Sequence, residues 1–303
     1  MKSSLENHSR WVQYYTLSVS VLGVGVILLS LMQLPGMWKG VLFFSGMAAV
    51  AEFFSVELFR SSRGNRVSVA GIIAIASILV LGPFAGVLTN VVAGIMTPIA
   101  QTFRKRDEPQ NGRVSVLRRT LFNIGMFAVA TASAGGIFVL LGGKVGSPDE
   151  ISNLIPLIAA VAASEIINIL ILMVVIVLQT GQKPYEIWKR DFQWGVPIGI
   201  IGGVIGGGGL ALAYHLFDYI GVLVFYLPVL TTGFSFSFYV NNMKGYVNKL
   251  EEMNRTLDEI NLGLLETLGA VIDAYDVYTY GHSTQVSVYA DALSQKLGLP
   301  DKE

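Results

Sequence analysis

The sequence predicts an all-α fold: a polytopic α-helical membrane protein followed by a helical tail. Three observations predict it. Mean hydropathy is +0.58. Only 14% of the residues are charged, against about a quarter in soluble domains. The apolar residues come in blocks that match the roughly 20 a bilayer asks of one helix, and they stop near residue 240, where Asn, Lys, Glu and Asp take over. Membrane lipid is therefore an expected partner. Formal net charge is zero, so no global field attracts nucleic acid, and none is expected as a partner. The absence of cysteine excludes disulfides and thiolate metal sites.

The elements follow in order. Residues 1–10 are polar and 11–34 are apolar. That run is longer than a signal-peptide core and lacks a small-residue cleavage site, so it reads as a retained first span. A second span covers 37–59. The stretch 67–101 is too long for one straight helix and short for two. Gly82-Pro83 interrupts it, because proline disfavours helix in the residue before it. It reads as two short helices, 67–81 and 84–101, or as a re-entrant hairpin. Spans at 115–142, 152–180, 194–216 and 219–240 complete about eight crossings, or six plus the hairpin.

Basic residues set the expected orientation, since Lys and Arg collect in cytoplasmic loops. One group is Arg60, Arg63 and Arg66. A second is Arg104, Lys105, Arg106, Arg113, Arg118 and Arg119. A third is Lys183, Lys189 and Arg190. The other connections hold only Lys144, with Lys39 just inside a span. All three groups face one side only if 67–101 enters and leaves by that side. Both termini are then cytoplasmic.

Polar residues inside the apolar blocks are candidate sites. Glu52 lies inside the second span and Asn90 is central in 84–101. Glu165 lies near the middle of 152–180, with Asn168 on the same helix face three residues on. His215 is near the outer end of its span. An ionisable group in hydrocarbon costs a few kcal/mol, so it must meet a partner, water or a ligand. Two readings stand: hydrogen bonds to neighbouring helices, or a buried sensing site for a small cationic or polar ligand or a proton. Gly202, Gly203, Gly206, Gly207, Gly208 and Gly209 fall in one span, as expected for tight helix packing or for a deformable helix.

From 241 to 266 the apolar residues take heptad spacing. Tyr246, Met253 and Ile260 form one series; Leu250, Leu257 and Leu264 form the other, offset by four. Alternating steps of four and three make a coiled-coil seam. The linker reads as a parallel homodimer contact, or as one amphipathic helix packed on its own chain.

The last segment, 267–303, contains Ala274-Tyr275-Asp276-Val277-Tyr278-Thr279-Tyr280-Gly281-His282-Ser283, then Val286, Tyr289, Ala290 and Leu297-Gly298-Leu299-Pro300. This run resembles the opening of the HD-GYP family of metal-dependent phosphohydrolases, best known as cyclic-di-GMP phosphodiesterases. The resemblance implies that His282 is an early ligand of a dinuclear iron or manganese centre. Imidazole suits such metals, and a metal pair can generate hydroxide and clamp a phosphodiester. Gln285 stands where members often carry Arg. Tyr278 replaces a carboxylate that some members use for a third metal. The later His-Asp pair and Gly-Tyr-Pro segment are absent, so the 303 residues are expected to hold no metal and to be inactive by themselves. The membrane region resembles the multi-span sensor modules that precede cyclic-di-GMP enzymes in bacteria, through Ala51-Glu52-Phe53-Phe54-Ser55-Val56, Leu81-Gly82-Pro83 and Phe122-Asn123. Together these imply a receptor of the bacterial cytoplasmic membrane that regulates cyclic-di-GMP hydrolysis. A transporter or substrate-binding membrane protein with a regulatory tail is the alternative, since broken helices and intramembrane carboxylates serve transport as well.

Overall fold

The computed structural model describes residues 2–53, 56–57, 66–67, 69–104, 113–193, 195–275 and 281–298. Arg60, Arg63, Lys105, Arg106 and the motif residues 276–280 lie outside the described residues. The chain divides into two compact units, 1–240 and 241–303.

Among the described residues the first unit is helical apart from its loops and one short antiparallel pair, β1 (Val56–Glu57) with β2 (Arg66–Val67). Its helices are α1 (Lys2–Met32), α2 (Trp38–Phe53), α3 (Ala70–Leu81), α4 (Pro83–Arg104), α5 (Arg113–Leu140), α6 (Leu154–Thr180), the short α7 (Pro184–Ile187), α8 (Gly195–Gly202) and the start of α9 (Gly208–Tyr275). Wider π-type turns at Trp188–Phe192 and Gly203–Gly207 interrupt the series.

Among the described residues, four helical stretches are long and apolar enough to cross a membrane: Arg10–Met32, Leu117–Leu140, Ile151–Thr180 and Gly195–Thr232. The expected count of about eight crossings needs more than these four supply. Helix α2 ends at Phe53, short of the 37–59 span, and the chain then enters the β1–β2 pair. Helix α3 has 12 residues, about 18 Å at 1.5 Å per residue, well under the roughly 30 Å of hydrocarbon. Its eight buried residues (Ala70, Ile73, Ala74, Ile75, Ala76, Ser77, Ile78 and Leu79) leave no polar face, as in a helix enclosed by others. The break after it falls at Gly82-Pro83. Gly82 takes φ 105° and its N–H donates to the Ser77 and Ile78 carbonyls at 3.2 and 3.0 Å. Pro83 then opens α4, where its missing N–H has no intrahelical role.

The core gathers around α3. Phe44 and Met47 of α2, Ala93 of α4, Phe138 of α5, Leu157 and Val161 of α6, and Leu210 and Val222 of α9 are all buried there. The chain reverses within α9. The backbone leaves helical geometry at Asp218 (φ 54°, ψ −146°), and Phe225 of the second arm reaches Gly209 of the first, 2.6 Å from where a Cβ would sit. This reversal falls where the 194–216 and 219–240 spans were expected to part. The second arm is anchored to α2 by the Tyr226 hydroxyl, which donates to the Met47 carbonyl at 2.8 Å.

Helices α1 and α5 meet backbone to backbone. A Cβ on Gly23 would collide with the Gly125 backbone, and one on Gly125 would lie 2.6 Å from the Val19 carbonyl oxygen. Small residues at such crossings let helices approach and gain dispersion contacts.

In the second unit, α9 continues to Tyr275 and α10 covers His282–Leu297. Tyr246, Leu250, Met253, Leu257, Ile260 and Leu264 are all exposed.

The α1–α5 contact yields a paired prediction. Gly23→Val should lower the unfolding temperature of the purified protein, since overpacking a tight contact costs about 1–3 kcal/mol. Gly25→Val, with nothing within 4 Å of its Cβ, should not lower it. Thermal unfolding followed by circular dichroism checks both.

Candidate functional site

The buried polar residues fall into two settings. Glu52, on α2 and 2% exposed, meets α4: Thr97 Oγ1 donates toward Glu52 Oε1 at 3.1 Å and toward the Ala93 carbonyl at 2.9 Å. Asn90, about two turns earlier on α4, donates from Nδ2 to Thr131 Oγ1 of α5 at 2.7 Å. Its neighbour Thr89 donates to Ser77 Oγ of α3 at 3.1 Å. These pairs tie α2, α3 and α5 to α4 and satisfy groups that would be costly in an apolar interior.

Glu165 and Asn168 differ. Both lie on α6, half-buried. The Glu165 carboxyl packs against the backbone of α8 at Gly199, where a Cβ would fall 3.0 Å from Cδ and 3.1 and 3.2 Å from the two oxygens. A side chain at 199 would press on the carboxylate and require it to shift by a few tenths of an ångström. Asn168 Oδ1 is buried and accepts no hydrogen bond from the described residues. An acidic group and an unfilled acceptor thus lie one turn apart on α6. The arrangement can take up a donor: a proton on the carboxylate, or a small ligand bearing N–H or O–H.

At the end of the bundle beside the α3–α4 break, polar residues gather that the sequence reading did not combine. Asn153 organises the loop between α5 and α6. Its Oδ1 accepts from the Lys144 N–H at 2.7 Å, and its Nδ2 donates to the Lys144 and Ser147 carbonyls at 3.0 and 2.7 Å. Hydrogen bonds from Lys144 Nζ (2.6 Å) and Ser152 Oγ (3.0 Å) hold the exposed Glu150 carboxyl below its ordinary range. His215 Nε2 lies 3.4 Å from Asp149 Oδ1. A histidine and several acids near two adjacent loops were the available signal; that the loops meet was not.

His282 is the first residue of α10, exposed, after Gly281 in left-handed conformation (φ 77°). Among the described residues no group of three or more His, Asp or Glu side chains is placed to hold a metal. One imidazole does not make a dinuclear iron or manganese centre.

Comparison with protein-family models, with curated proteins and with solved structures finds no match to this chain. The class defined by fold and site is an all-α protein with four helices, among the described residues, long and apolar enough to span a membrane.

The two asparagines should respond oppositely to the same substitution. Asn168→Leu removes an acceptor that has no donor and should leave unfolding temperature unchanged or raised. Asn90→Leu strands the Thr131 hydroxyl and should lower stability by about 1–3 kcal/mol. Thermal unfolding of both variants in one detergent makes the comparison.

Proposed function

We propose that this chain is a signalling receptor of the bacterial cytoplasmic membrane, with its basic loops and both termini on the cytoplasmic side. In this reading residues 1–240 sense, 241–266 relay, and 267–303 open an HD-GYP-type domain that hydrolyses cyclic-di-GMP with an iron or manganese pair. The observation that carries the reading is the exposed apolar seam at Tyr246, Leu250, Met253, Leu257, Ile260 and Leu264. An uncovered heptad stripe calls for a partner helix. A second copy of the same chain in parallel supplies it, and a dimeric helix is a means of passing movement to an enzyme. Glu165 and Asn168 are the proposed sensing pair for a proton or small polar ligand, with Glu52 and Asn90 positioning the helices around them.

A cysteine at position 257 should cross-link to its partner under mild oxidation, and one at 255 should do so poorly. Equal cross-linking at both would sink the dimer.

The output is tested in the protein expressed from its natural gene. His282→Ala should reduce both bound iron or manganese and cyclic-di-GMP hydrolysis by at least about tenfold, since metal affinity depends on each ligand. Full hydrolysis by His282→Ala would refute the role given to His282.

A second reading, transport, draws on the π-type turn Gly203–Gly207 directly after the helix that Glu165 packs against, because wide turns often mark functional sites. Under it, Glu165→Gln would stop solute movement in proteoliposomes and leave hydrolysis unchanged. Under the receptor reading it alters signal-dependent hydrolysis.

A further inference from the structure

Three segments of the first unit meet around a cavity of about 390 Å³. The first is the end of α3, which contributes Val80. The second is the α5–α6 loop, held to α3 by the Gly146 N–H, which donates to the Leu79 carbonyl at 2.8 Å. The Asn153 side chain fixes that loop from within, so its wall at Pro148 is preformed. The third is the reversal in α9, which contributes Tyr214, His215, Phe217 and Asp218. Pockets of a few hundred Å³ suit small organic ligands.

The backbone at this wall is unusual. Asp218 is the non-glycine residue with positive φ among the described residues. Strained residues persist where surrounding structure imposes them, and they concentrate at binding sites. Here the strain turns the chain so that consecutive residues, His215 to Asp218, line the cavity.

The lining has a definite chemistry. Asp218 brings a carboxylate, and the Tyr214 ring packs edge-on against Tyr219 with centroids 5.5 Å apart. His215 is held by Asp149 at 3.4 Å, which places a second carboxylate behind the imidazole. Tyr214 and Phe217 bring aromatic surface. Lys144, in the α5–α6 loop, is engaged with Glu150 at 2.6 Å. Among the described residues no lysine or arginine lines the cavity, and its one imidazole, His215, already faces Asp149, so an anion would meet no unengaged counter-charge. Fewer than three metal-capable side chains converge, so a bare metal ion would be poorly held. A carboxylate beside aromatic faces is complementary to a cation that carries a hydrocarbon body.

We propose that this cavity binds a small organic ammonium ion, its charge against Asp218 and its carbon frame against Tyr214 and Phe217. The site stands apart from the signalling reading, because binding is measured on the purified chain whatever its output.

The probe is 2-phenylethylammonium, titrated calorimetrically into the full chain in detergent, with empty micelles subtracted. Its neutral counterpart, 2-phenylethanol, is titrated in parallel. Saturable binding of the ammonium is expected, at least about tenfold tighter than the alcohol. Asp218→Asn should weaken ammonium binding about tenfold and leave the alcohol unaffected, because asparagine keeps the shape of aspartate and removes its charge. If that variant unfolds at a lower temperature than the parent, Asp218→Gly takes its place, since glycine adopts positive φ freely, and carries the same expectation. The absence of saturable binding up to about 10 mM, equal affinity for alcohol and ammonium, or undiminished binding by the Asp218 variant would each overturn the proposal.

Discussion

A helix that ends inside a membrane protein leaves carbonyl groups that neither water nor lipid can satisfy. Helix α3 poses that problem, being 12 residues long and buried over most of its surface. The solution is local at first: the Gly82 N–H turns back to the Ser77 and Ile78 carbonyls. It then becomes tertiary. The Leu79 carbonyl takes the Gly146 N–H, from a loop more than sixty residues further along the chain. The conformation of that loop depends in turn on the Asn153 side chain, with its three hydrogen bonds. The cap on α3 is therefore also the wall of the cavity, and the carbonyls that need covering explain why a structured loop lies there at all.

The polar groups of the bundle follow the same logic in the opposite direction. Glu52, Asn90, Thr89 and Thr131 would each oppose folding if buried alone, yet in pairs they fix which faces of α2, α3, α4 and α5 meet. Each bond also avoids the cost of leaving a buried polar group unmatched. Glu165 and Asn168 stand outside the scheme. Their helix packs on α8 through a glycine, and the unfilled Asn168 oxygen contributes nothing to holding the pair together. That contrast leaves the α6–α8 contact without side-chain pairs, among the described residues, like those that join α2, α3 and α5 to α4.

Much of the helical order was legible from composition and punctuation. Gly82-Pro83 marked the α3–α4 break because proline chemistry acts within a residue or two, and the reversal near 217 followed from the length of the apolar run. The linker seam was visible because heptad spacing is a one-dimensional pattern. The polar candidates could be named but not sorted: whether Asn90 or Asn168 finds a partner depends on Thr131, distant in sequence. The Gly23–Gly125 crossing, the β1–β2 pair and the π-type turns were not legible, because each depends on which helix lies alongside. The cavity was missed for the same reason, since His215 and Asp149 come together only when two loops close on one end of the bundle.

The reversal at Asp218 bears on the order of assembly. Gly209 and Phe225 touch across it, so the two arms of α9 are neighbours in sequence as well as in space, and contacts of short separation form fast. The Tyr226 hydroxyl, by contrast, waits for the Met47 carbonyl, 179 residues away. The arms can therefore pair as one helical hairpin before the rest of the bundle receives them. A single aspartate in a turn then separates the quick local step from the slow joining of segments 179 residues apart.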